Sequence, residues 1–133
     1  MAQQPPPFKE PDYNKPKLFA GLPEKIAVQP QYLETFLTAA VGQTIAIHLG
    51  AATVEGFVTS KSDPSDPSLQ SVVVRSTNFV GALFTFSKVV EKDGRIFYRA
   101  RLLSRQHSDA FELVKANGDY QFEKKHQLRI LSE

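Results

Sequence analysis

Residues 82–105 read ALFTFSKVVEKDGRIFYRARLLSR. Two strand-like runs flank Asp93-Gly94, a dipeptide that favours positive φ and marks a hairpin. A two-residue Asp93-Gly94 loop would set Lys88 opposite Arg99 and Phe86 opposite Arg101. A three-residue loop, Lys92-Asp93-Gly94 with Gly94 in a bulge, pairs Glu91 with Arg95 instead. That register gathers Phe84, Phe86, Val90, Ile96, Tyr98, Ala100 and Leu102 on one side. A one-residue slip turns every side chain to the other face, so the pattern selects the three-residue loop. Lys88 then falls on the apolar side opposite Tyr98, where its aliphatic stem carries the ammonium to the rim. The opposite face shows Arg95, Phe97, Arg99, Arg101 and Arg105, with Thr85, Ser87 and Glu91 among them and Leu83, Val89 and Leu103 as apolar members.

The same period of two runs through most of the chain. Upstream, Ile45, Ile47 and Leu49 alternate with Thr44, Ala46 and His48, and Gly50-Ala51 separates them from a second strand over Thr53–Ser60. Asp63-Pro64 and Asp66-Pro67 mark a polar loop, and Leu69–Thr77 is a third strand. Downstream, Ala110–Lys115 and Asp119–Lys125 flank Asn117-Gly118, a second hairpin signal, and Leu128–Leu131 reads as a terminal strand. Leu18–Val28 gives a turn followed by a short strand. Only one segment changes period. Leu33, Phe36, Leu37, Ala40 and Val41 recur at helical spacing between Pro30 and Gly42, which predicts a helix over about 30–41. The expected fold is mainly β, of the α+β kind: an antiparallel, strongly curled sheet or small barrel of about seven strands, with one N-terminal helix packed on it.

Composition sets the outer limits. The 133 residues suffice for one domain with a core, and no second composition block or repeat appears. Residues 1–16 hold five of the nine prolines (Pro5, Pro6, Pro7, Pro11, Pro16) and read as a flexible, extended arm, leaving residues 17–133 as a single β-rich domain. No apolar run is long enough to span a membrane. The absence of cysteine removes thiol catalysis, thiolate metal sites and disulfides. Sixteen basic against fourteen acidic residues leave +2, which singles out no polyanionic partner. Met1-Ala2-Gln3-Gln4 resembles a mature exported chain with its signal removed and a start methionine added. The expectation is export to the periplasm or the extracellular space, although a cysteine-free chain also suits the cytoplasm.

Catalytic patterns are weak. His48, His107 and His126 are not paired at metal-ligand spacing. His107-Ser108-Asp109 holds the residue types of a hydrolytic triad, but neighbours on an extended chain cannot converge on one another. Glu55 with Asp109 or Glu112 has no spacing that favours a carboxylate pair. No P-loop, GxSxG or GxGxxG is present, and no cofactor or metal is expected. The better-defined feature is the basic face: Arg95, Phe97, Arg99, Arg101 and Arg105. Glutamates on neighbouring strands (Glu55, Glu112, Glu123) can neutralise it as a salt-bridge ladder.

Lys17-Leu18-Phe19, Leu22-Pro23, Lys25-Ile26 and the strand Asp109-Ala110-Phe111-Glu112-Leu113 resemble segments of small uncharacterised exported β-rich proteins of Gram-negative bacteria. The resemblance covers the chain from Lys17 on and implies no activity, so it assigns no functional residue.

The reading that follows is a non-enzymatic interaction domain, binding a protein partner or a second copy through the Arg/aromatic face. The alternatives are an OB-like nucleic-acid or polyanion binder using the same arginines, and a small barrel holding an apolar ligand among its ten phenylalanines.

Overall fold

The structure, a computed structural model, describes residues 15–126. The chain runs through β1 (Lys25–Ala27), α1 (Pro30–Glu34) with a 3-10 turn over Thr35–Thr38, β2 (Thr44–Leu49), β3 (Ala52–Lys61) and β4 (Leu69–Ser76). It continues through β5 (Leu83–Val90), β6 (Ile96–Leu103), β7 (Asp109–Ala116) and β8 (Asp119–His126). Strands β2 to β8 form an antiparallel meander, and β1 adds to the far side of β8, giving the order β1-β8-β7-β6-β5-β4-β3-β2. The expected antiparallel, curled sheet is present, as a half-barrel of eight strands. The small closed barrel is not: β1 and β2 stand at opposite ends of the order without pairing. Gly50, in the β2–β3 turn, lies against Ile26, so close that an added Cβ would sit 3.3 Å from its Cγ2.

The β5–β6 hairpin takes the predicted register, from Val90↔Ile96 to Leu83↔Leu103, with Lys88 opposite Tyr98. Its loop closes through Glu91 N–H donating to Arg95 O (2.8 Å) and Gly94 N–H donating to Glu91 O (2.8 Å), with Gly94 at φ +88°. Asn117 (φ +54°) and Gly118 (φ +86°) form the two-residue turn between Ala116 and Asp119, the mirror-type turn that suits strand twist. Ile96 takes the predicted side of the hairpin but not the burial of its neighbours. Ile96 is 46% exposed, because it lies at the hairpin tip beyond the reach of the core.

The helix is shorter than its apolar stripe. α1 ends at Glu34 rather than near residue 41, and the chain tightens into the 3-10 turn. Thr35 and Thr38 donate their hydroxyls to carbonyls three residues back, at Tyr32 (2.6 Å) and Thr35 (3.0 Å). These local bonds compete with continued helix. Ala39 is already extended (φ −70°, ψ 147°), and Gly42 N–H donates to Val58 O (2.7 Å), tying the chain to β3. Val41, expected on the buried stripe, is therefore 62% exposed. The predicted strand Leu128–Leu131 and most of the arm lie outside the described residues.

The core fills the concave side of the half-barrel. Phe84, Phe86, Phe111, Phe122, Val54, Val58 and Leu102 come from the sheet, with Leu33 from α1 and Phe19 from the segment before β1. Phe19 packs against Phe79 and Phe111 at 5.4 and 5.3 Å between ring centroids. The turn that carries it is clamped at both ends. Asp109, buried at the start of β7, accepts the backbone N–H groups of Leu18 (2.7 Å) and Phe19 (2.9 Å). Lys124 on β8 donates to the carbonyls of Phe19 (2.8 Å) and Leu22 (2.7 Å). At Gly56, β3 runs so close to β4 that an added Cβ would sit 2.2 Å from the Arg75 carbonyl oxygen.

Candidate functional site

The five residues singled out on β6 and its flanks share the outer face but not one role. Arg95 is spent on its own turn: Asp93 accepts its backbone N–H (3.0 Å) and its Nε (2.7 Å), and Glu91 lies 3.7 Å from its guanidinium. Arg101 faces Glu112 across the β6–β7 ladder at 3.5 Å, and Lys125 on β8 holds the same carboxylate at 2.9 Å. Arg105 is exposed beyond the end of β6, and its carbonyl accepts from Lys15 Nζ (2.7 Å). Arg99 is exposed, has no ion pair among the described residues, and lies over the half-buried Phe97 ring at 5.5 Å from its centroid. The cross-strand ladder thus accounts for Arg101 and the turn for Arg95. Arg99 and Arg105 have no ion pair among the described residues, and of these two Arg99 is the one stacked on an aromatic ring, that of Phe97. Across the sheet, Phe97 aligns with Val89 on β5 and Leu69 on β4, extending it as an apolar row.

Beside that pair the sheet opens. The β6–β7 register runs only from Leu103↔Ala110 to Arg101↔Glu112, whereas the ladders of β5 with β6 and of β7 with β8 run the full strand length. Ile96–Ala100 and Leu113–Ala116 diverge, and an opening of about 360 Å³ lies there. Thr85, Ser87, Arg99, Arg101 and Glu112 line it, and Tyr98 stands at its inner side.

Tyr98 also borders a larger cleft, about 670 Å³, which no pattern in the sequence announces. Gln29 reaches it just before α1, Gln31 and Tyr32 lie on α1, His48 on β2, and Asp119 and Tyr120 at the start of β8. Tyr98 and Tyr120 meet edge-to-face at 5.6 Å, and Phe86 stacks on Tyr98 at 5.9 Å. Tyr98 donates its hydroxyl to Glu34 Oε2 (2.5 Å), whose other oxygen accepts from Lys88 Nζ (3.0 Å). The Tyr98 hydrogen bond and the Lys88 ammonium hold the Glu34 carboxyl below its usual range, against partial burial. Burial, reinforced by the Glu34 hydrogen bond and charge, pushes the Tyr98 phenol up to about 12. Across the cleft, His48 backbone N–H donates to Tyr32 Oη (2.8 Å), and Thr53 Oγ1 holds His48 Nδ1 at 3.1 Å. Sequence spacing placed Lys88 beside Tyr98 but had no access to Glu34, which arrives from another part of the chain.

Asp109 and His107, from the His107-Ser108-Asp109 run, are turned to different partners. Asp109 clamps the Leu18–Phe19 backbone, and His107 Nδ1 lies 2.9 Å from Ser104 Oγ. His48 is exposed, as its place opposite Ile45, Ile47 and Leu49 predicts. Among the described residues, no group of three His, Asp or Glu side chains is placed to hold a metal, and no helix is long and apolar enough to cross a membrane. No protein-family model, curated protein or solved structure matches the chain.

Proposed function

We propose that the protein is a non-catalytic interaction domain that holds an extended segment of a partner protein along β6, at the opening beside β7. The observation that carries this reading is the early end of the β6–β7 ladder next to an exposed Arg99 stacked over Phe97. A strand whose main-chain groups are released from a neighbour can take an incoming strand, and flanking side-chain sites give it selectivity. Phe97 and the apolar row to Leu69 suit a hydrophobic side chain of the segment. Arg99 suits a carboxylate, so the preferred segment alternates apolar and acidic residues. The polyanion reading has less support, because Asp93, Glu91 and Glu112 engage two of its five candidate residues.

The test is selection from a displayed random-peptide library on the immobilised protein, followed by hydrogen exchange of the complex. The expected outcome is enrichment of extended apolar–acidic peptides that slow exchange at residues 96–100 and lose affinity with Phe97→Ala or Arg99→Glu. Arg99 is the cleaner reversal, since Arg101→Glu would set like charges opposite Glu112. Enrichment that ignores both substitutions, or protection elsewhere on the sheet, overturns the reading.

A further inference from the structure

We propose that the tyrosine-lined cleft between the β1–α1 connection and the β7–β8 turn is a binding site for a neutral saccharide. Tyr98 borders both this cleft and the β6–β7 opening, but the remaining lining, and the ligand argued from it, belong to this cleft alone.

Its volume, about 670 Å³, falls within the range of small-molecule sites. A sugar ring offers apolar C–H faces and a rim of hydroxyls, and the cleft holds the counterpart of each. Tyr32, Tyr98 and Tyr120 supply aromatic surface, while Gln29 and Gln31 supply amides that both donate and accept. His48, with Nδ1 held by Thr53, has Nε2 left for a ligand. Asp119 adds a carboxylate able to accept paired hydroxyls. No lysine or arginine lines the cleft itself: Lys115 Nζ stands over the Tyr120 ring, 5.6 Å from its centroid, and the Asp119 carboxylate in the lining opposes a phosphate or carboxylate ligand. A wholly apolar ligand would cover the amides and Asp119 without pairing them, which costs free energy. An organic cation could use the rings and Asp119 but would leave both amides idle.

The walls are also set in advance. Glu34 fixes the Tyr98 hydroxyl, the His48 backbone fixes that of Tyr32, and Tyr120 is braced against Tyr98. Groups ordered before the ligand arrives lose little freedom on binding.

Three of the chain's four tyrosines line the cleft and the chain has no tryptophan, so tyrosine emission reports on the site directly. In a Tyr13→Phe background the cleft tyrosines are the only fluorophores of that kind. The experiment titrates this protein with chitotetraose, cellotetraose and maltotetraose, with choline and tetragalacturonate as charged comparators. The expected result is a saturable change with at least one neutral tetrasaccharide, with a Kd below about 1 mM. Gln31→Ala and Asp119→Asn, both exposed positions, should each weaken it at least about tenfold with an unchanged melting temperature. No saturable change with any of the three, tighter binding of choline or tetragalacturonate, or full affinity in both variants would each overturn the proposal.

Discussion

At the scale of single residues, the Glu34–Tyr98–Lys88 cluster makes stability depend on pH in two directions. Glu34 titrates below the ordinary 4.5 in the folded protein, so its contribution is complete above that value and is lost as pH falls through the lowered one. Urea midpoints should therefore drop more steeply below pH 4.5 for the wild type than for Glu34→Gln. Tyr98, raised from 10 to about 12, contributes stability that is complete below pH 10 and disappears as pH rises towards 12. Tyr98→Phe should remove this alkaline limb and cost about 1.5 kcal/mol at pH 7, the lower end for hydrogen bonds to charged groups. Gly56 has a different constraint. A methyl there would meet backbone rather than a movable side chain, so Gly56→Ala should destabilise by about 1–3 kcal/mol in denaturant unfolding.

Individual elements were legible where one short-range rule dominated. The β5–β6 hairpin came out in the correct register because only one loop length puts Phe84, Phe86, Ala100 and Leu102 on the same side, and all four are buried. Its turn depends on Gly94 at φ +88°, where an alanine is strained, so Gly94→Ala should cost about 1–2 kcal/mol. Gly21→Ala, with open space around it and no positive φ, should stay within about 0.5 kcal/mol. Parallel denaturant titrations of the two variants check that contrast. The apolar spacing of the helix continues past Glu34 and so predicts more helix than forms, because the hydroxyls of Thr35 and Thr38 and the pull of Val58 on Gly42 act locally and across the fold. The Arg/aromatic face was visible as an alternation on β6, but its division into paired and unpaired arginines needed the identity of each cross-strand neighbour. The tyrosine cleft was not visible at all, since Tyr32, His48, Tyr98 and Tyr120 come from four elements with no common spacing.

For the molecule as a whole, the half-barrel leaves two sheet edges among the described residues, β1 and β2, and exposed edges invite pairing with other chains. Both are blunted: β1 is three residues long and carries Lys25, and on β2 the Tyr32 hydroxyl occupies the His48 N–H. Tyr32→Phe with Lys25→Val should uncover both, and sedimentation velocity should then show self-association that the wild type lacks at the same concentration. The position of β1 has one more effect. It is the first of the described strands to leave the ribosome, yet its partner strand, β8, is the last of them to emerge, and the Lys17–Leu22 turn before it waits on Asp109 and Lys124 in the same way. During synthesis the meander can zip together strand by strand from β2 onward, while the opening segment stays undocked until the final hairpin appears. Docking of that segment therefore waits for β8, and a nascent chain halted before β8 would leave Phe19 without the Lys124 clamp and without Phe122 of the same core.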